Sequence, residues 1–336
     1  MVLLETLLPK AQAAHGTIVL PEGQDPRVME AAAKIAKKGI ARVIVLATPE
    51  ERAKSAANIS FAGLNVTVLN HLVTPDKERL MLRLLELRKH KGMTPEQAKE
   101  LIKNRIYFGD MMVREGMADG LVAGSIASTA DMVRTAFQCV GTAEGIKFGS
   151  SCFVMELKEP TAGGEEVLFF ADSGVNPDPT PEQLVDITVA TIKTQKALLG
   201  GQARVAMLSF STKGSGGKGP LVEKMARATE LAQARIDDLG LDAVIDGELQ
   251  ADTAIVPAVA LKKAPGSALK GDANILIFPD LNAGNISYKL TERLAAAKAY
   301  GPIMQGLAKP VNDLSRGCSP DDIVGVAAIT VCQTEG

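Results

Sequence analysis

Tryptophan is absent from this 336-residue chain, and aromatic residues of every kind make up only 4% of it. A core without large rings must come from Ala, Val, Ile, Leu and Met, which suits a parallel α/β sheet better than a sandwich. Histidine is scarce too. His15, His71 and His90 are the only three, and none sits in an H-E-x-x-H pair. With no cysteine cluster either, a metal site is not expected. Cys139, Cys152, Cys318 and Cys332 are far apart and include no C-x-x-C. They read as free thiols in a reducing cytoplasm. No G-x-S-x-G elbow occurs, which argues against an α/β-hydrolase triad. A general base must then be a carboxylate or a lysine.

Excess charge is also missing. Lys+Arg number 37 against Asp+Glu 39, for a net charge of -2. Such a balance provides no global field for nucleic acid or an anionic membrane, so local basic groups must hold any anionic ligand. No uninterrupted apolar run reaches the ~18 residues that span a bilayer. The first ten residues are apolar but short, carry Glu5 and lack a basic leader. They read as a first helix rather than a signal peptide.

What is present is globular: 46% apolar and 23% charged, with a length that suggests two domains. Short β-branched runs, among them Thr17–Pro21, Arg42–Ala47, Val66–Leu69, Gly120–Ala123, Val205–Phe210 and Pro302–Leu307, alternate with amphipathic windows such as Arg27–Lys38 and Leu221–Asp238. That alternation predicts mostly parallel sheets covered by helices. Helix starts are marked by Thr48-Pro-Glu-Glu51, Thr94-Pro-Glu-Gln97, Thr180-Pro-Glu-Gln183 and Ser319-Pro-Asp-Asp322, each a capping residue, a proline and an acid or amide at the third position. Crossings near Gly141–Gly149 and Tyr300 predict a discontinuous first domain, 1–143 plus 302–336, with a second, 144–301, inserted into it.

Chemistry concentrates where strands run into polar loops, the ligand-binding end of α/β sheets. Residues 301–325 place Asn312, Asp313, Ser315, Arg316, Ser319, Asp321 and Asp322 between a short apolar segment and an apolar helix. That mix suits an anion and a proton transfer. Asp322 also has a purely structural reading, as the third residue of a capped helix. After Gly120–Ala123, Ser125, Ser128, Thr129 and the backbone N–H groups at a helix start could hold a phosphate, with Arg134 nearby. Arg88, Lys89 and Lys91 cluster at the end of a helix over 76–91, where the helix dipole alone could explain them. The run Ile275-Leu-Ile-Phe-Pro-Asp280 leads through a polar loop to Lys289. Gly214-x-Gly216-x-x-Gly219 formally matches a dinucleotide fingerprint, with Asp246 as its acid, although Ser211-Thr-Lys213 intervenes and Lys218 sits inside it.

These residues, taken together, resemble the phosphate acetyltransferase (phosphotransacetylase) family of short, single-function type. The resemblance covers nearly the full length. Its carriers include Leu87-Arg-Lys-His-Lys-Gly92, Phe170-Ala-Asp-Ser-Gly174, Ile245-Asp-Gly-Glu-Leu-Gln250, Phe278-Pro-Asp-Leu-Asn282 and, most specifically, Gln305-Gly-Leu-Ala-Lys-Pro-Val-Asn-Asp-Leu-Ser-Arg-Gly-Cys-Ser319. The family's usual run of serines reads Ser125-Ile-Ala-Ser-Thr129 here, and the loop 214–219 is unusually rich in glycine.

The resemblance implies reversible acetyl transfer between acetyl phosphate and coenzyme A, giving acetyl-CoA and inorganic phosphate. It implies two α/β domains resembling the isocitrate/isopropylmalate dehydrogenase-like fold, an active-site cleft between them, a homodimer, and functional coupling to acetate kinase. No tightly bound cofactor is expected. Positions matching Ser315, Arg316 and Asp322 are tied to catalysis. Arg88 and Arg134, with Ser128, Thr129 and Lys289, make up the expected substrate-binding set. Asp322 would take the proton of the coenzyme A thiol, Arg316 would stabilise the carbonyl oxygen or phosphate, and Ser315 would hydrogen-bond the phosphate or the oxyanion. Direct thiolate attack in a ternary complex needs no enzyme nucleophile. The alternatives are a butyryl-phosphate enzyme, an NAD-dependent dehydrogenase resting on Gly214–Gly219, and a catalytically silent domain that binds acyl-CoA or acetyl phosphate.

Overall fold

The computed structural model describes residues 2–144, 146 and 148–335. Its first half runs α1 (Val2–Ala14), β1 (Thr17–Leu20), α2 (Pro26–Lys37), β2 (Arg42–Leu46), α3 (Pro49–Ser55), β3 (Val66–Leu69), α4 (Asp76–Arg88), α5 (Pro95–Leu101), α6 (Arg105–Arg114), β4 (Gly120–Ala123) and α7 (Thr129–Cys139). The second half runs β5 (Ser150–Glu156), β6 (Val167–Ala171), α8 (Pro181–Leu198), β7 (Ala203–Leu208), α9 (Pro220–Asp238), β8 (Ala243–Leu249), α10 (Ala251–Ile255), α11 (Pro257–Lys263), β9 (Ile275–Ile277), α12 (Leu281–Leu294), β10 (Lys298–Gln305), β11 (Val311–Asp313) and α13 (Pro320–Cys332). Two compact units result: Leu4–Gly145 with Leu307–Gly336, and Met1–Leu3 with Ile146–Gly306.

The unit built around β1 holds a five-stranded sheet in the order β11-β4-β1-β2-β3, parallel throughout. β1 reads Thr-Ile-Val-Leu and is buried at every residue, as expected of a strand covered on both faces. Val19 and Leu121 point into a core shared with Leu80, Leu84, Phe108, Met111 and Met132 from α4, α6 and α7. On the opposite face, a Cβ at Gly120 would fall 2.5 Å from Thr330 Cγ2, so α13 lies directly on the strand. α13 is apolar all round, with Ile323 through Cys332 buried, which marks a central helix rather than a surface one. Each such Val or Ile contributes about 1.5–3 kcal/mol of burial. Asn312, fully buried, donates from Nδ2 to Thr330 Oγ1 at 2.8 Å and so ties β11 to α13.

The other unit holds a six-stranded sheet, β10-β5-β6-β9-β7-β8. β6, β9, β7 and β8 are parallel neighbours, and β5 and β10 join antiparallel. Its core packs Phe153, Phe170, Leu276 and Phe278, with the Phe153 and Tyr288 rings stacked at 3.7 Å.

The four boxes expected from Thr48, Thr94, Thr180 and Ser319 all form with both reciprocal bonds. The strand expected at 302–307 differs. β10 begins earlier, at Lys298, and crosses Pro302 by a register shift between Tyr300 and Ile303, which accommodates a residue that has no N–H to give. The loop carrying Ser315 and Arg316 is delivered instead by β11, three residues long with two of them polar, too short to stand out as a strand. No helix among the described residues is long and apolar enough to cross a membrane. No metal-type group of His, Cys, Asp and Glu occurs among them. All four cysteines are free and buried.

Candidate active site

Three neighbouring strands of the parallel sheet, β1, β4 and β11, send their C-terminal loops to one edge. The loop after β11 carries Ser315 and Arg316, both exposed, and then buries Cys318. Gly317 N donates to Ser315 Oγ at 3.3 Å, and Cys318 N donates to the Ser315 carbonyl at 2.9 Å. Burial pushes the Cys318 thiol up to about 11. At the start of α13, Ser319 N and Oγ donate to Asp322 Oδ2 at 2.8 and 2.7 Å, and Asp322 N donates back to Ser319 Oγ at 3.2 Å.

Arg27 was not foreseen. Its Nη1 donates to the carbonyls of Arg316 and Cys318 at 2.8 and 2.9 Å, and its Nη2 donates to the Ser125 carbonyl at 3.0 Å. The same guanidinium grips Asp25, the N-cap of α2, with Nη2 at 2.7 Å from Oδ2. Burial works to raise the Asp25 carboxyl, but the hydrogen bonds and charge of Arg27 win and hold it below the ordinary value. One planar fork thus fixes all three loops.

Glu22 is the second unforeseen residue. Buried, its carboxylate accepts from the N–H groups of Gly124, Ser125, Ile126 and Ala127 at 2.7–3.0 Å and from Ser125 Oγ at 2.9 Å. Glu22 thus holds the loop that leads into α7, while the N–H groups expected to face a phosphate lie beyond it, at the start of that helix. The helix start that follows is capped by Ser128, which accepts from Asp131 N at 3.1 Å. Its hydroxyl donates to Asp131 Oδ2 at 2.8 Å. Thr129 Oγ1 donates to Asp313 Oδ2 at 2.6 Å, which brings the Ser128–Thr129 turn against the Ser315–Arg316 loop.

Arg134 is exposed and paired with Asp131 at 2.6 Å. Arg88, at the end of α4, lines a cavity of about 490 Å³ with Lys91, Gln97, Glu100, Tyr107 and Gln138. Tyr107 Oη donates to Gln138 Oε1 at 2.7 Å. Burial raises its phenol, while the nearby charges of Arg134 and Arg88 oppose the shift. Lys289 belongs to the other unit, on α12, where Nζ donates to Tyr288 Oη at 2.8 Å and lies 4.7 Å from that ring's centroid.

The dinucleotide-like loop is internally engaged. Gly214 N donates to Glu248 Oε1 at 2.7 Å and Gly216 N to Ser211 Oγ at 2.9 Å. Asp246, the acid of that fingerprint, is held by Lys213 and Ser267. Burial acts to raise it, yet those partners leave it lowered. Neither glycine N–H nor Asp246 is left as a nucleotide fingerprint requires. Glu22 and Arg27 lie in Pro21-Glu-Gly-Gln-Asp-Pro-Arg27, which directly follows β1. The rule that singled out the other strand ends would have found them.

Paired α/β units, one with a parallel sheet whose edge gathers hydroxyls, arginines and carboxylates, define a fold shared with 4-hydroxythreonine-4-phosphate dehydrogenase from Klebsiella pneumoniae. That likeness has a TM-score of 0.55 at 12% identity and covers 95% of this chain and 100% of the other; it shows the fold alone. The chain belongs to the phosphate acetyl/butaryl transferase family, whose model matches residues 2–331. It is similar to the phosphate acetyltransferase of Thermoanaerobacterium thermosaccharolyticum, 49% identical over 335 residues and covering 100% of both chains. It is also similar to the EutD phosphotransacetylase structure from Staphylococcus aureus, with a TM-score of 0.89 and 41% identity over 99% of this chain and 98% of that one.

Proposed function

We propose that the protein catalyses reversible acetyl transfer between acetyl phosphate and coenzyme A. Full-length identity of 49% to a curated phosphate acetyltransferase carries this reading; the three loops held by Arg27 and Glu22 are the geometry that agrees with it. In the forward direction the thiol, ordinarily near ~8.5, gives its proton to Asp322. The thiolate attacks the acetyl carbon, the C–S bond forms, and the C–O bond to phosphorus breaks with its electron pair leaving on phosphate. No enzyme nucleophile enters.

Asp322 can be cap and base together because the two roles use different oxygens. Oδ2 accepts from both Ser319 N and Ser319 Oγ, and Oδ1 is then the oxygen for the thiol proton. Ser315 Oγ accepts from Gly317 N, so its own proton is available to the phosphate or the oxyanion. Arg316 projects its guanidinium from a backbone pinned at the carbonyl by Arg27, a preorganised donor for the developing charge. Ser128 and Thr129, whose hydroxyl protons go to Asp131 and Asp313 in the fold, redirect them to the phosphoryl group when it binds. Arg88 and Lys91, on the cavity near Tyr107, bind the anionic parts of coenzyme A, and Arg134 and Lys289 assist in holding substrate. Homodimerisation, a cytoplasmic location and coupling to an acetate kinase belong to the same reading.

The test is thioester absorbance with acetyl phosphate and coenzyme A. Acetyl-CoA should appear, faster than butyryl-CoA from butyryl phosphate, and NAD should not bind. No thioester from either acyl phosphate would sink the reading.

A further inference from the structure

We infer that Asp313 is a positioning residue that decides whether the Thr129 hydroxyl can donate a hydrogen bond to a phosphoryl oxygen of the substrate. The inference rests on the function proposed above and adds a residue to it. Asp313 closes β11 and is fully buried. Its Oδ2 lies 2.6 Å from Thr129 Oγ1. Its Oδ1 is buried with no hydrogen-bond partner among the described residues. The carboxyl is also clamped sterically: Gly124 has φ +108°, and a Cβ there would fall 2.0 Å from Asp313 Oδ1. Thr129, by contrast, is only half-buried, at the first position of α7.

A threonine hydroxyl has one proton to give. Facing an ionised Asp313, which only accepts, Thr129 directs that proton inward and shows lone pairs to the substrate. A phosphoryl oxygen is itself an acceptor and gains nothing. When Asp313 carries a proton, it donates to Thr129 Oγ1, and the threonine proton turns outward to the phosphoryl group.

The surroundings set this balance near neutrality. Burial pushes the Asp313 carboxyl up to about 7, Thr129 and the Leu314 N–H pull it down, Glu22 raises it and Arg316 lowers it. β4 contributes no titratable side chain. α7 contributes Asp131 and Arg134, which pair with each other. α13 contributes Asp321, paired with Lys34, and Asp322, held in its box. The loop after β1 contributes Glu22 and the Asp25–Arg27 pair. An arriving phosphoryl anion adds negative charge and favours the protonated state, so substrate binding and proton uptake are linked.

The experiment measures KM for acetyl phosphate at saturating coenzyme A from about pH 5 to about pH 9, by thioester absorbance. Acetyl phosphate is the probe because inorganic phosphate itself changes charge near neutrality. In the wild type KM should rise roughly ten- to a hundredfold as Asp313 ionises, the range for one hydrogen bond to a charged group. Asp313→Asn, whose amide donates to Thr129 at every pH, should keep KM low and flat. Thr129→Val should give a high, flat KM, and Thr129→Ser should restore the wild-type profile. If the Asn variant fails to fold, the two Thr129 variants still decide. An Asn variant that merely melts earlier and keeps the wild-type pH profile would overturn the inference, as would a Val variant with that profile. A working wild type with a flat KM refutes this inference alone; a wild type that makes no thioester refutes the functional reading and this with it.

Discussion

Asp110 sits in the middle of α6 with no exposed surface, and both its carboxyl oxygens lack a hydrogen-bond partner among the described residues. The hydroxyl of Thr135, the one group pulling the other way, donates to the Met132 carbonyl at 3.1 Å. Burial therefore pushes the Asp110 carboxyl up to about 8 from 3.8. An acid whose folded value is raised costs nothing below its unfolded value. Between the two values the folded state holds a proton that the unfolded state has released, so each pH unit weakens folding about tenfold. The penalty is complete above about 8 and amounts to about 4 kcal/mol at pH 7. Asp110→Asn keeps the shape and a neutral polar group but removes the titration. Denaturant unfolding of both proteins across this pH range should give similar midpoints near pH 4 and a growing advantage for the variant toward pH 8. A difference that did not change with pH would mean that Asp110 ionises normally in the fold, and the account of its burial would be wrong.

The site makes three further expectations. Asp322→Asn keeps an oxygen to accept from Ser319 N–H, so stability should fall by about 1 kcal/mol or less while thioester formation drops by roughly 10²–10⁴. Near-normal turnover would leave Asp322 as a cap only. Arg316→Lys retains the charge and loses the planar fork; turnover should fall with an unchanged melting temperature, and intact turnover would remove its polarising role. Glu22→Gln puts an amide NH₂ where four N–H groups and the Ser125 hydroxyl converge, leaving some of them unpaired at a cost of about 3 kcal/mol. A thermal melt that did not move would show that the 124–127 loop is held by something else.

The fold was legible wherever local and global signals agreed. Runs rich in β-branched and apolar residues such as Thr17–Leu20 fit best as a covered parallel strand, and Thr-Pro-Glu followed by Glu or Gln has few uses except to start a helix. Legibility failed where backbone partners decide. Val311–Asp313 is a strand because β4 lies beside it, not because its residues demand extension. Pro302 lies inside β10 because a register shift absorbs it, and no local rule anticipates that.

The site divides along the same line. The residues proposed to touch substrate stand out in the sequence as polar and charged groups just past strand ends, Ser315 and Arg316 in a loop and Thr129 and Arg134 on the helix that follows one. Residues that hold those residues also lie just past a strand end, but the partners they grip could not be read from the sequence. Arg27 and Glu22 earn their roles from atoms about 100 to 290 positions away in the chain, and carbonyls and N–H groups carry no sequence signature. Asp313 shows the difference most sharply. In the sequence it is one more polar residue in a polar loop. In the fold it is a fully buried acid pressed by Gly124 and bonded to Thr129, and only that confinement turns an ordinary aspartate into a group whose proton can direct another residue's hydroxyl.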